Sequence, residues 1–160
     1  MMKYRRITAD DDETIAKIIR ANLEHFHLDI PGTAYFEPGL DHLNDFYNSI
    51  PEKRCYLIAL DETDRIIGGV GIAELNGIEN CAELQKLYLA DSVKGRGYGK
   101  ELVLAAETWA KDAGYGKMYL ETHRNLKVAI NLYEKVGFKL IDKPSFVVHG
   151  AMDHFYLKDL

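Results

Sequence analysis

The spacing of apolar residues predicts the N-terminal elements of the chain. Residues 9–26 read as a helix because their apolar positions recur at helical spacing. Those positions are Ile15, Ile18, Ile19, Leu23 and Phe26. The acidic run Asp10–Glu13 suits the start of this helix, where the helix dipole favours negative charge. A strand over Tyr4–Thr8 is expected before it, and a proline-containing loop over 27–39 and a second helix over Leu40–Ser49 are expected after it.

Three apolar runs rich in β-branched residues predict a block of strands in the middle of the chain. RCYLIAL and RIIGGVGIAEL are separated by DETD, which favours a hairpin. AELQKLYLA predicts a third strand over residues 82–90.

The C-terminal half is predicted to alternate between helices and strands. An amphipathic helix follows the segment KGRGYG, and Gly114 is expected to end it. Its apolar stripe consists of Leu102, Ala105, Ala106, Trp109 and Ala113. KMYLET is then a strand and LKVAINLYEKV a helix that Gly137 would end, while FKLI and DHFYLKD are the last strands. The order β-α-α-β-β-β-α-β-α-β-β predicts a mixed α/β fold in a single domain of residues 1–160.

Composition narrows the classes of function. A length of 160 residues is enough for one domain with a real core, and a net charge of −5 argues against a nucleic-acid-binding protein. No apolar run approaches the roughly 18 residues that a membrane span needs, and the N-terminus lacks the apolar region of a signal peptide. Cys55 and Cys81 are expected to be buried free thiols, which fits a cytoplasmic location.

The segment KGRGYG, residues 94–99, joins a predicted strand to a predicted helix. Such a junction is a potential anion site because the first N–H groups of a helix have no partner within the helix. Gly95, Gly97 and Gly99 would allow the backbone to approach a phosphate closely, and three neighbouring side chains add positive charge. The basic residues are Lys94, Arg96 and Lys100. A tight turn in which the glycines only permit positive φ is the alternative.

Two common phosphate motifs do not fit this segment. A Walker loop requires G-x-x-x-x-G-K-[ST], but Gly99-Lys100 is followed by Glu101 and preceded at the first glycine position by Lys94. The spacing of the three glycines also differs from the dinucleotide pattern G-x-G-x-x-G. Nucleoside triphosphates and NAD are therefore poor candidates for the ligand.

The sequence instead resembles that of the GNAT N-acetyltransferases over nearly the whole chain. K-G-R-G-Y-G resembles the loop [QR]-x-x-G-x-[GA] that binds the pyrophosphate of coenzyme A in that family, with Lys94 at the first position. AELQKLYL resembles the strand before the loop, and NLKVAINLYEKVGF resembles a later helix of the family. The matching positions of that helix are Ala129, Tyr133, Gly137 and Phe138. The resemblance implies a GNAT-like sheet with flanking helices.

The resemblance also implies where acetyl-CoA would bind. Backbone groups of Leu87 and Leu89 would meet the pantetheine arm between splayed strands at 82–90 and 117–122. The loop residues implied as cofactor-binding are Lys94, Gly95, Arg96, Gly97, Tyr98, Gly99 and Lys100. Asn125 is either a contact to the cofactor or an N-cap of the following helix, because many relatives carry asparagine one residue later, where this chain has Leu126. No metal is implied.

Two residues are implied in proton transfer. Tyr133 matches the tyrosine that would protonate the departing thiolate, and the ordinary pKa of a phenol, about 10, suits that exchange. A packing role on an amphipathic helix is the alternative. Glu83 lies in the strand before the loop, at a distance resembling that of a catalytic base in relatives that acetylate histones. A carboxylate among apolar residues can have a raised pKa, but a solvent-exposed strand-edge charge is the alternative.

The expected function is transfer of an acetyl group from acetyl-CoA to a primary amine of a small molecule or protein, by direct attack in a ternary complex. A non-catalytic acyl-CoA-binding regulatory module on the same fold is the alternative. The segment 24–42 would border the acceptor, and its histidines lack a metal signature. Its candidate lining residues are His27, Asp29, Tyr35, Phe36 and Glu37. His149 and His154 could also reach the acceptor, and a homodimer is a family-level expectation.

Overall fold

A computed structural model describes residues 2–148 and 150–160. The strands in this part of the chain are β1 (Lys3–Arg6), β2 (Cys55–Leu60), β3 (Ile66–Glu74), β4 (Cys81–Leu89), β5 (Lys117–Thr122), β6 (Lys139–Ile141) and β7 (His154–Asp159). The α-helices are α1 (Asp12–His25), α2 (Leu43–Tyr47), α3 (Tyr98–Asp112) and α4 (Lys127–Lys135). The fold is mixed α/β, which confirms the predicted class.

The strands form one sheet in the order β1-β2-β3-β4-β5-β7-β6. Neighbouring strands run antiparallel except β4 and β5, which are parallel. These two pair only from Cys81 to Glu83, opposite Lys117 to Tyr119. Both strands continue past that point without pairing, so the sheet opens between them.

A bulge in β4 changes which side chains face each side of the sheet. Lys86 has φ +49°, and the pairing of β3 with β4 shifts register between Gly69 and Gly71. An extra residue in one strand reverses the alternation of side chains beyond it. Before the bulge Leu84 faces the core under α3, whereas after it Leu87 packs against that same core.

The helices cover opposite faces of the sheet and enclose two cores. α1 and α2 pack on one face through residues such as Ile15, Ile19 and Tyr47. α3 and Tyr133 of α4 pack on the other face. Gly71 is required for this packing, because a Cβ there would lie 2.5 Å from the Tyr47 hydroxyl.

The N-terminal helices differ in detail from the sequence prediction. The helix predicted over 9–26 begins with a 3-10 turn, Ala9–Asp11, before α1. The helix predicted over Leu40–Ser49 is a 3-10 turn, Leu40–His42, followed by the five-residue α2. Its sequence explains the shortening, since Asp, Asn and Ser side chains compete with the backbone for helical hydrogen bonds.

Of the two roles predicted for Asn125, the one as a cap of the last helix is wrong. α4 begins at Lys127, so its N-cap position is Leu126 and no side chain caps it. The Asn125 side chain instead donates a hydrogen bond to the carbonyl oxygen of Phe26, at 3.0 Å. At the other helix ends Gly114 (φ +99°) and Gly137 (φ +101°) lie where the sequence predicted them.

Cys55 and Cys81 are free and buried, as expected. No helix among the described residues is both long enough and apolar enough to cross a membrane.

Candidate active site

A cleft of about 630 Å³ lies where β4 and β5 separate. It brings together groups that the sequence scatters over 50 residues. Glu83 and Leu87 come from β4, Gly97 from the following loop, and Tyr133 from α4. The opening between the strands connects the two faces of the sheet, so a ligand held by the loop can reach residues on the side of α1.

The glycine loop forms the backbone part of the cleft. Gly95 and Gly97 have φ of +82° and +81°, and a Cβ at either would meet no atom within 4 Å. Glycine is therefore required at these two positions by the positive φ of the backbone, and not by a lack of space for a side chain. α3 starts at Tyr98, so its first unpartnered N–H groups and the positive end of its dipole lie beside this open backbone. Gly99 serves a different purpose, because a Cβ there would lie 3.2 Å from Leu132 of α4.

The basic side chains contribute unequally. Lys94 and Lys100 line the cleft, and Arg96 is not among the lining residues. Lys94 forms an ion pair with Asp91 at 2.7 Å, and its Nζ lies 4.9 Å from the centre of the Phe26 ring. The positive charge available to an anion in the cleft therefore comes mainly from the N-terminus of α3 and from Lys100.

The backbone of β4 supplies an open hydrogen-bonding edge. The Ala90 amide donates to Ile67 of β3 at 2.8 Å, which directs alternate residues of β4 toward β3. Leu87 and Leu89 therefore point their N–H and C=O groups to the opposite side, where β5 has moved away. Both line the cleft. The carbonyl of Leu89 accepts a hydrogen bond from the side chain of Asn22, at 2.9 Å.

Tyr133 extends from α4 into the same cleft. Its side chain is 5% exposed and its ring contacts Phe138 and Tyr156 at centroid distances of 5.9 and 6.4 Å. Its hydroxyl has no hydrogen-bond partner within residues 2–148 and 150–160. Burial raises the pKa of Tyr133, and the nearby Tyr88 adds to the effect. The phenol is therefore protonated over the physiological range.

Glu83 belongs to a hydrogen-bonded chain on the α1 side of the sheet. Gln85 donates from Nε2 to Glu83 Oε1 at 2.8 Å and accepts from the Tyr47 hydroxyl at 2.6 Å. Burial raises the pKa of Glu83, the Gln85 hydrogen bond opposes that shift, and the charge of Glu121 reinforces it. The carboxylate is held in place and partly desolvated, unlike a strand-edge charge in solvent.

Sequence reasoning missed two further charged residues of the cleft. Glu121 of β5 lines it on the same side as Glu83 and accepts a hydrogen bond from the Tyr119 hydroxyl at 2.9 Å. Lys86 at the bulge forms an ion pair with Glu37 at 2.9 Å. The bulge leaves a signal in the sequence, because the leucines of AELQKLYLA change from the even position 84 to the odd positions 87 and 89 across Gln85-Lys86.

The segment predicted to border the acceptor contributes only one of its five candidate residues to the cleft lining. Glu37 lines the cleft together with Gly32, Thr33 and Ala34. The other four candidates of this segment are absent from the lining. They are His27, Asp29, Tyr35 and Phe36. Thr33 is 4% exposed and donates to the carbonyl of Leu28 at 2.8 Å, which fixes the shape of this turn.

The remaining candidates lie away from the cleft. Asn125 does not line it. His154 is also outside the lining and is paired through Nδ1 with Asp153 at 2.7 Å. His149 lies outside the described residues. Within the described ranges no group of three or more His, Cys, Asp or Glu side chains is arranged to hold a metal ion.

Residues 20–138 match the family model described as the acetyltransferase (GNAT) family. The chain is 37% identical over 140 residues to an uncharacterized N-acetyltransferase, YjgM, of Escherichia coli K12, covering 86% of this chain and 82% of that protein. It is 28% identical over 148 residues to a spermidine N(1)-acetyltransferase of Thermoplasma acidophilum, covering 88% and 90% of the two chains.

Solved structures share the fold. A GNAT-family acetyltransferase of Staphylococcus aureus Mu50 aligns with a TM-score of 0.85 at 18% identity, over 99% of each chain. The PaiA N-acetyltransferase of Thermoplasma acidophilum, solved with coenzyme A, aligns with a TM-score of 0.77 at 24% identity, over 100% of this chain and 99% of the other.

Proposed function

The chain belongs to the acetyltransferase (GNAT) family and is an N-acetyltransferase that uses acetyl-CoA; on that premise we propose that it acetylates a primary amine by direct attack, with Glu83 and Tyr133 moving the protons. The observation that carries the proposal is that both side chains line one cleft with the glycine loop. Acetyl-CoA supplies the activated acyl group as a thioester.

The glycine loop and the open edge of β4 fit the two halves of the donor. The unpartnered N–H groups at the start of α3, beside Gly95 and Gly97, suit a pyrophosphate. The backbone groups of Leu87 and Leu89 suit the amides of a pantetheine arm. A side chain at Gly97 would disturb the first site through backbone strain, since its φ is +81°.

Glu83 is proposed to accept the proton that the amine loses, directly or through water. An amine must be neutral for its nitrogen to form the new C–N bond. A carboxylate with a raised pKa is a stronger base than an ordinary one, and Gln85 keeps it oriented. The same negative charge also stabilises an incoming ammonium before the proton is transferred.

Tyr133 is proposed to protonate the thiolate that leaves when the C–S bond breaks. Its hydroxyl faces the cleft from the side of α4, opposite Glu83, and remains protonated because burial raises its pKa. The acid and base thus act from opposite faces of the opened sheet. This arrangement suits a ternary complex in which donor and acceptor meet between β4 and β5.

The charges of the cleft favour a small cationic acceptor. Neither Glu83 nor Glu121 forms an ion pair within the described part of the chain, and both line the cleft on the α1 side of the sheet, where we place the acceptor. Lys86, whose charge acts on Glu83, is already paired with Glu37. The relative named as a spermidine N(1)-acetyltransferase is consistent with this preference. A diamine could place one amine at Glu83 and leave its second ammonium near Glu121.

The test is thiol release from acetyl-CoA with three acceptors that each contain four carbon atoms: 1,4-diaminobutane, n-butylamine and 4-aminobutanoate. We expect the diamine to give the highest kcat/KM and the amino acid the lowest, with the Glu121→Gln variant losing this order. Glu79→Gln removes an equal charge at an exposed position outside the cleft and should keep the order. Coenzyme A binding without thiol release for any amine or protein acceptor would contradict the proposed function.

A further inference from the structure

The open edge of β4 needs a partner that the sheet no longer provides. Pairing with β5 stops at Glu83, six residues before the end of β4. The strand beyond this point is held on one side by β3 alone. An unpaired strand edge is free to shift and twist, which would spoil any pattern of backbone groups presented to a ligand.

Asn22 of α1 takes the place of the missing strand. Its side-chain amide donates to the carbonyl of Leu89 and, within its own helix, to the carbonyl of Ile18, both at 2.9 Å. The residue is only 5% exposed, so the amide is committed to these two acceptors. A polar side chain buried in an otherwise apolar helix face is costly unless its hydrogen bonds are made.

The same end of α1 also contacts the other border of the opening. The carbonyl of Phe26 accepts a hydrogen bond from Asn125, which follows β5, at 3.0 Å. The Phe26 ring lies below the ammonium group of Lys94, at the start of the glycine loop. The last turn of α1 therefore touches β4, the loop and the approach to α4, which are the three elements that border the donor side of the cleft.

We propose that the last turn of α1 is a brace, with Asn22 as a positioning residue that holds the Leu87–Leu89 edge in register for the pantetheine arm. The inference rests on the proposed function only in taking this edge as the pantetheine site. By occupying the Leu89 carbonyl, Asn22 leaves the Leu89 N–H and both groups of Leu87 for the ligand. Asn125 holds the other end of the brace.

Binding of two probes separates this role from general destabilisation. Coenzyme A engages the loop and the strand edge, whereas 3′-phosphoadenosine 5′-diphosphate, which lacks the pantetheine arm, engages only the loop. We expect Asn22→Asp and Asn22→Leu to weaken coenzyme A binding at least tenfold and to change binding of the shorter probe less than twofold, as measured by titration calorimetry.

Ile19→Val is the matched control, because Ile19 is buried in the core on the same helix and its apolar side chain cannot donate a hydrogen bond to the Leu89 carbonyl. It should lower the melting temperature and leave the ratio of the two dissociation constants unchanged. Asn125→Ala, at an exposed position, should show the same selective loss of coenzyme A affinity to a smaller degree. It replaces the Asn22 variants in the test if those do not fold.

Equal weakening of both probes, or no weakening of either in a folded variant, would overturn the proposal. Failure of the wild-type chain to bind coenzyme A would count against the proposed function instead. The two results are distinguishable because the positioning role is read from a ratio between variants and the function from the wild type.

Discussion

Gln85 donates a 2.8 Å hydrogen bond to Glu83 and accepts a 2.6 Å hydrogen bond from Tyr47. The amide can be oriented in only one way between these partners, because its nitrogen must face the carboxylate and its oxygen the phenol. Glu83 is therefore held by a residue two positions along its own strand and, through it, by α2. This geometry underlies the first two predictions.

Replacing Glu83 by Gln should lower kcat by about 10²-fold, the lower range for loss of a general base. A base acts in its charged form, so wild-type activity should rise with pH through the pKa of Glu83. That pKa lies above the ordinary value of 4.5 because the side chain is buried, which displaces the acidic limb toward higher pH. The pH profile of Glu83→Gln should lack this acidic limb. If the limb were unchanged in this variant, it would report the titration of a group other than Glu83.

Replacing Gln85 by Met should move the acidic limb to still higher pH without changing the plateau rate. The Gln85 hydrogen bond favours the charged form of Glu83 and lowers its pKa, so its loss raises that pKa. Tyr47→Phe leaves the Glu83–Gln85 bond in place and should give a smaller shift. The test is the profile of kcat against pH for the wild type, Gln85→Met and Tyr47→Phe, each shown to be folded. The acidic limb should move furthest in Gln85→Met and less in Tyr47→Phe.

Replacing Tyr133 by Phe should reduce kcat by about 10² to 10³-fold with little change in the dissociation constant of acetyl-CoA. The change removes a hydroxyl that has no partner among the described residues and keeps the ring that packs against Phe138. Tyr156→Phe is the control, since its hydroxyl is committed to Glu134 at 2.8 Å. Tyr156→Phe should lower the stability of the fold and leave kcat unchanged. An equal loss of kcat in both variants would contradict an acid role for Tyr133.

Replacing Gly97 by Ala should weaken coenzyme A binding, because a non-glycine residue at φ +81° costs about 1–2 kcal/mol and the loop would relax from its ligand-binding shape. Gly114→Ala imposes a similar strain at φ +99°, also with no atom within 4 Å of the new Cβ, at the far end of α3. Both variants should lose similar thermal stability, and only Gly97→Ala should lose affinity. If Gly97→Ala and Gly114→Ala bound coenzyme A with equal affinity, the loop would not be part of the binding site.

Replacing Lys158 by Met should destabilise the fold by about 2 kcal/mol, because the buried carboxylate of Glu107 would lose its hydrogen-bonding partner. Lys158 pairs with Glu107 at 2.7 Å and also donates to the carbonyl of Val136 at 2.6 Å. Glu107 is 9% exposed and its Oε2 already lacks a partner in the described structure. Adding Glu107→Leu should recover part of the loss in chemical denaturation, because the uncompensated charge is then removed.

Local signals in the sequence were sufficient for the fold class and the family. The β-branched runs, the stripe on α3 and the glycines after β4 each depend on neighbours within a few residues. The family match over 20–138 confirms what KGRGYG and the later Tyr133 helix indicated together. The catalytic roles of Glu83 and Tyr133 stay predictions.

Contacts between residues that are distant in sequence leave no local pattern in the sequence. The sequence predicts Asn125 as a helix cap or a cofactor contact, but the cap is not formed and its amide binds Phe26, 99 residues away in sequence. Asn22 lies in the predicted first helix but is not among its apolar positions. Its importance depends on the carbonyl of Leu89, which is 67 residues away.

The sequence by itself determined the order of most strands and helices and the glycine-rich junction before α3, because these follow from side-chain periodicity and backbone freedom over short stretches. Only the tertiary structure decided which carboxylates meet, how far β4 and β5 separate and what holds the open edge. Those properties depend on strand register and on a single extra residue at Lys86, which reverses the facing of every side chain beyond it in β4.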